Sequence, residues 1–197
     1  TLVLFLSDNG GCAETPGGND PKQVPGPKEF YSHCGPGWAY AQNTPFRRYK
    51  SWSYEGGIAT PLVARWPKAI KPDTTTKQVG HIIDFMPTFL EMAEAEYPHE
   101  YAGNKIIPVE GKSLLPVLRG EKHEAHEWLF WEWSGSRAVR HGYGKLVGWN
   151  GTQIGNDDLA TDRTETNNLA AKHPDRVEEM ANRWFAWAKE TGLNAKP

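Results

Sequence analysis

The chain is short of the features that usually place a protein quickly. Only two of its 197 residues are cysteines, Cys12 and Cys34, too few for a disulfide-built scaffold; one disulfide and two free thiols are both compatible with them, because spacing alone leaves connectivity open. No apolar run approaches the roughly 20 residues of a membrane-spanning helix, and no charged segment followed by an apolar one stands at the start. Basic residues are not in excess. With 22 Lys and Arg against 24 Asp and Glu, the formal net charge is −2, so there is no basic surplus for a nucleic-acid backbone. Repeats and low-complexity tracts are missing, as are a Walker A loop and a dinucleotide fingerprint, Gly10-Gly11 being followed by no suitable helix. None of the seven histidines pairs with another at zinc-ligand spacing.

What is present begins at once. Leu2 to Leu6 is an unbroken apolar run, too short for a membrane and without the alternation of a half-exposed strand. It predicts a strand buried on both faces, as in parallel sheets covered by helices, where ligands gather beyond the carboxyl ends of the strands. Ser7, Asp8 and Asn9 stand at that end, and Gly10-Gly11 lets the backbone approach a ligand and turn away. A strand of this kind needs neighbours on both sides, so the chain is expected to be a piece of a larger protein. Pro16 to Pro27 should be a surface loop. Ile58 to Trp66 reads as a second buried strand, with Pro61 at a bulge or at its beginning and Pro67 as its stop.

Asp84 is a candidate N-cap for a helix with Pro87 in its first turn and Phe85, Phe89, Met92 and Ala93 on its core face. His81 should pack or cap before it, while His123 and His126 fall in a charged, solvated loop. From Trp128 the pattern changes to short β-like runs, Trp128 to Trp133, Arg137 to Arg140 and Lys145 to Trp149, as in an antiparallel meander. The last element is a helix from Pro174 to about Glu190, with Val177, Met180, Ala181, Trp184 and Ala188 on one stripe and Gly192 as its stop; it should lie across the small sheet.

Four motifs in order carry a resemblance. Ser7-Asp8-Asn9-Gly10 follows a strand, and Tyr49-Lys50 stands five residues before Glu55-Gly56-Gly57-Ile58. Ile83-Asp84-Phe85-Met86-Pro87-Thr88 is of the form IDxMPT, and Gly111 to Pro116 of the form GxSLxP. The set resembles the C-terminal half of type I sulfatases, arylsulfatase-like enzymes of the alkaline-phosphatase superfamily. The resemblance implies an α/β fold, the C-terminal part of an alkaline-phosphatase-like sulfatase, with residues 1–121 ending the catalytic domain and residues 122–197 forming a small antiparallel-sheet subdomain with a terminal helix. It implies a sulfuric ester hydrolase acting on aryl or carbohydrate sulfates. It also implies a periplasmic, secreted or lysosomal setting.

By the same resemblance Asp8 and Asn9 are ligands of a divalent cation, Ca²⁺ in preference to Mg²⁺. Calcium takes about 6 to 8 oxygen ligands, and a carboxylate beside an amide carbonyl supplies two hard ones. Lys50 contacts the sulfate group, its compact ammonium offsetting charge that shifts as the S–O bond breaks. Glu55 is expected to hold the Gly56-Gly57 turn. The family's nucleophile is a formylglycine made in a Cys-x-Pro-x-Arg motif, which Cys34-Gly35-Pro36-Gly37-Trp38 does not match, having Trp38 where arginine belongs; these residues should be a turn presenting an aromatic. The formylglycine, its arginine and the remaining metal ligands are therefore expected in an N-terminal part that this chain needs, and the isolated chain should be inactive.

Two departures stand out. Trp131 to Arg140 replaces the His and Glu of the family's WEHEGNRAVR, placing Trp133 and Ser134 there, and the Gly155 to Ala170 tail, with Asp157 where the family has Tyr, loses the Tyr and Pro of the family pattern. Rival readings are a phosphonate or phosphodiester hydrolase of the same superfamily and a non-catalytic glycan- or protein-binding piece.

Overall fold

The computed structural model describes residues 1–15, 26–29, 33–149 and 152–193. Most of the loop expected at Pro16 to Pro27 lies outside them. In chain order the elements are β1 (Val3–Phe5), α1 (Gly35–Asn43), the one-turn α2 (Glu55–Ile58), β2 (Val63–Arg65), α3 (Phe85–Ala93), β3 (Glu100–Tyr101), β4 (Asn104–Lys105), α4 (Leu115–Arg119), β5 (Trp128–Trp133), β6 (Ser136–His141), β7 (Gly144–Trp149), β8 (Thr152–Asp158) and α5 (Pro174–Glu190). They form two compact units, Thr1–Phe5 with Leu62–Glu127, and Leu6–Pro61 with Trp128–Pro197.

In the first unit β1 and β2 pair antiparallel, Leu4 opposite Ala64 and Phe5 opposite Val63. This corrects the expectation of a parallel strand buried on both faces. Val3, Phe5 and Val63 are 50%, 72% and 60% exposed, because a two-stranded ribbon cannot cover its own faces. A short apolar run shows that a strand forms, but not the direction of its partner.

The start of α3 is built differently from the predicted Asp84 cap. A 3-10 turn, Ile82–Asp84, precedes the helix; His81 Nδ1 accepts from the Ile83 N–H at 3.3 Å, and Asp84 Oδ2 accepts from the His81 N–H at 2.7 Å, a reciprocal capping box. Asp84 Oδ1 accepts from the Lys112 N–H at 2.8 Å and lies 2.7 Å from His126 Nε2. His126, expected in solvent, is thus nearly sealed beside a wholly buried carboxylate. Burial pushes the Asp84 carboxyl up, but the hydrogen bonds from His126 and from the Lys112 and His81 amides outweigh it and hold the group below its ordinary range. Thr88 continues the staple: its hydroxyl donates to the Asp84 carbonyl at 2.6 Å and accepts from the Leu114 N–H at 2.8 Å. The IDxMPT and GxSLxP segments are joined in this way. The expected core face of α3 is only partly covered, with Phe89 48% exposed.

In the second unit β5, β6, β7 and β8 form a four-stranded antiparallel meander. The fourth strand was not expected from sequence. Helix α5 spans the predicted residues, its stop Gly192 at φ 77°, and its Met180, Trp184 and Ala188 pack against Val139 and Leu146 of the sheet. Trp184 also donates its indole N–H to the Trp131 carbonyl at 3.0 Å, with the Arg137 guanidinium 4.7 Å from the Trp184 ring. Tyr54, Ala138 and Val147 make a second buried cluster with Trp52 and Trp131 against it.

Candidate functional site

The predicted site residues lie on a loop and a turn that the backbone ties together in the second unit. After β1 the chain turns at Ser7, whose N–H donates to Thr60 Oγ1 at 3.1 Å and whose hydroxyl donates to the Asn9 carbonyl at 2.7 Å. The Gly10 N–H donates to the Gly57 carbonyl at 3.1 Å, and the Lys50 N–H to the Gly11 carbonyl at 3.1 Å. A Cβ on Gly10 would run into the Gly56 carbonyl, and one on Gly56 into the carbonyls of Arg47 and Arg48. Gly10 is therefore required by the contact between the two motifs, and Gly56 by the close approach of its own turn to Arg47 and Arg48.

Asn43, which sequence reasoning did not single out, bridges the pieces: its Oδ1 accepts from the Gly11 N–H at 3.0 Å and its Nδ2 donates to the Arg48 carbonyl at 3.2 Å. It ends α1, the helix that stands where a Gly35-Pro36-Gly37-Trp38 turn was expected; Trp38 is 70% exposed on it.

Asp8 is exposed and Asn9 half-buried. The Lys50 ammonium donates to Glu14 Oε2 at 3.1 Å, and Ser51 Oγ lies 3.5 Å from Glu14 Oε1. The Lys50 hydrogen bond holds the Glu14 carboxyl below its ordinary range against a slight opposing burial. Lys50 already engages an oxyanion in this arrangement. Among the described residues no three His, Cys, Asp or Glu side chains converge as a metal site.

Glu55 does something other than hold its own turn. Its carboxylate lies 3.0 Å from Lys145 Nζ and 2.9 Å from Arg163 NH2, and its N–H donates to Glu165 Oε2 at 2.6 Å. Lys145 Nζ also lies 2.9 Å from Glu165 Oε1, and Arg47 donates to the Glu165 carbonyl at 2.8 Å. Lys145 and Glu165 are fully buried. Burial pushes Glu55 up, but the Lys145 charge and the Arg163 hydrogen bond overcome it and leave Glu55 below its ordinary range. For Glu165 burial wins and the carboxyl is raised. Asp157, cross-strand partner of Lys145, is 1% exposed, and burial followed by the Asp162 charge pushes it up to about 6. The Ser53 N–H donates to Ser136 Oγ at 2.8 Å, a further tie from this turn to β6. A buried ionic cluster thus anchors the Glu-Gly-Gly turn, and through it the Asp8 loop, to the meander. No sequence signal marks Lys145 or Glu165 for this role, since such residues are mostly exposed.

Residues 47–183 match the family described as N-sulphoglucosamine sulphohydrolase, C-terminal. All of the chain aligns with an uncharacterized sulfatase of Schizosaccharomyces pombe at 30% identity, covering 39% of that protein. A sulfatase of Formosa agariphila is also 30% identical over the whole chain, which covers 35% of it. The chain thus spans less than two-fifths of these relatives' length. A solved structure described under metabolism of multiple glycosaminoglycans by Bacteroides thetaiotaomicron superposes with a TM-score of 0.66 at 22% identity, covering 96% of this chain and 39% of that one. The phosphonate monoester hydrolase of Silicibacter pomeroyi shares the fold with a TM-score of 0.54 at 20% identity, over 73% of this chain and 31% of that one. Among the described residues no helix is long and apolar enough to cross a membrane.

Proposed function

This chain belongs to the sulfatase family, matching its C-terminal part, and on that premise we propose that it supplies part of the cation site and one anion contact to an enzyme that hydrolyses sulfate esters. The observation that carries the reading is the hydrogen bond of the Lys50 N–H to the Gly11 carbonyl, which ties the predicted anion-binding residue to the loop bearing Asp8 and Asn9. Residues 1–121 end the catalytic domain in this reading and residues 122–197 form the small subdomain.

Asp8 and Asn9 fit a hard cation by their donor chemistry: a carboxylate without a hydrogen-bond or ion-pair partner among the described residues, next to an amide oxygen, at a loop fixed by hydrogen bonds from the backbone N–H groups of Ser7, Gly10 and Gly11. When bound, Ca²⁺ would act as a Lewis acid toward sulfate oxygens. Lys50 orients the ester through one sulfate oxygen and neutralises charge there as the S–O bond lengthens. Substrate sulfate competes with the Glu14 carboxylate for the Lys50 ammonium. The nucleophile, a formylglycine, is contributed by protein outside these 197 residues. A periplasmic, secreted or lysosomal setting belongs to the same proposal, as does the inactivity of the isolated chain.

The test uses the longer parent protein and an aryl sulfate. Lys50→Ala should lower kcat/KM by about 100- to 1,000-fold, and Asp8→Asn should weaken Ca²⁺ binding measured by calorimetry. Unchanged turnover in Lys50→Ala sinks the assignment. The fold shared with a phosphonate monoester hydrolase keeps phosphonate and phosphodiester hydrolysis as the second reading; faster turnover of those esters than of the sulfate by the wild-type parent would select it.

A further inference from the structure

We propose that Cys12 and Cys34 are a modification site: their thiols are oxidised to one intrachain disulfide that staples the Asp8 loop to the start of α1. They are the chain's two cysteines and stand as free thiols in the structure. Although 22 positions apart, they are in contact, the Cys34 thiol donating to the Cys12 carbonyl at 2.7 Å. Bond lengths then keep the two Cα atoms within about 8 Å, close to the roughly 4.4–6.8 Å span of a disulfide. The Cys12 sulfur lies 3.6 Å from Glu14 Oε2. The disulfide requires that sulfur to turn to a staggered χ1 well facing Cys34, with a small backbone approach. Glu14 keeps its Lys50 partner through that change.

The surroundings favour a cross-link. The loop that carries Cys12 lies along the helix that Cys34 precedes: the Gly11 N–H is bound by Asn43 at the far end of α1, and a Cβ on Gly11 would press on Ala39 and Gln42 of the same helix. Cys34 is the residue before that helix. Both cysteines are half-buried, within reach of a small oxidant.

The oxidant is a low-molecular-weight disulfide such as oxidised glutathione. One protein thiolate attacks a sulfur of the oxidant and expels a glutathione thiolate; the second protein thiolate attacks the protein sulfur of that mixed disulfide and expels the other. One S–S bond replaces another, the protein loses two electrons and two protons, and both leave as two molecules of reduced glutathione. The product constrains the unfolded chain between the cysteines and so favours the folded state. This holds whether or not the sulfatase reading does.

The test equilibrates the folded parent protein in a glutathione buffer poised at about −200 mV, quenches with acid, labels with N-ethylmaleimide and maps peptides without reduction, reading the Cys12 and Cys34 peptides. The expected protein is monomeric, with the Cys12 and Cys34 peptides joined, lighter by two hydrogens than the reduced pair and unlabelled; reduction should lower Tm by about 5 °C or more. In Cys34→Ser, Cys12 should carry glutathione, and Tm should no longer respond to reductant. Two maleimide labels on wild type, glutathione left on either cysteine of wild type, or disulfides only between chains would each overturn the proposal. Should a variant fail to fold, the wild-type map decides alone.

Discussion

In the unit built on the meander, Val139, Leu146, Met180, Trp184 and Ala188 are sealed from water, whereas in the unit built on β1, β2 and α3 the most deeply buried side chains are Asp84 and Thr88. One unit is ordered by an apolar layer between sheet and helix. The other leaves Phe5, Ile82, Met86 and Phe89 exposed and is ordered around a carboxylate that accepts from His81, Lys112 and His126. The lesson concerns what a mutation can take away. Apolar burial is spread over many contacts, but a polar staple concentrates the order of a region in one group whose partners have no substitute.

The sharpest way to break this comparison is to truncate an apolar side chain in each unit. Trp184→Ala should cost about 3–5 kcal/mol, measured by urea denaturation, while Phe89→Ala, half in water already, should cost less than about 1. Equal costs would mean that both units rest on apolar cores. Next in size is Asp84→Ala, which strands two part-buried amides and His126; a loss of about 2–4 kcal/mol is expected, with faster amide exchange at His81 and Lys112. Unaltered exchange there would remove the staple from the account.

The smallest effect belongs to the meander's own polar inclusion. Because the Asp157 carboxyl rises from 3.8 to about 6 on folding, the native state holds that proton more tightly than the unfolded chain between those values. Stability from this group is full below the lower value and is lost as the pH rises through the upper one. Asp157→Asn should therefore stabilise the protein by about 1–3 kcal/mol at pH 7.5 and by almost nothing at pH 4. A gain independent of pH would contradict the titration.

The sequence showed where apolar periodicity is strong and failed where charge is buried. Helix α5 was legible to its ends because Val177, Met180, Trp184 and Ala188 recur at helical spacing with Pro174 and Gly192 as punctuation. Three meander strands were legible, but β8 was not, since Thr152–Asp158 is mainly polar and carries Gly155 in its interior. The contact between the Asp8 loop and the Glu55 turn was legible only as two separate motifs. The Asp84–His126 and Lys145–Glu165 pairs were not legible at all: their partners lie far apart in sequence, and nothing local separates a buried lysine from a solvated one.

Lys145 has one more consequence. With no access to water, its amine is out of reach of acylating reagents as long as the sheet stays closed, so the rate at which it is labelled times the opening of β7. Once labelled, it cannot answer both carboxylates, and the strand is barred from returning to its former place.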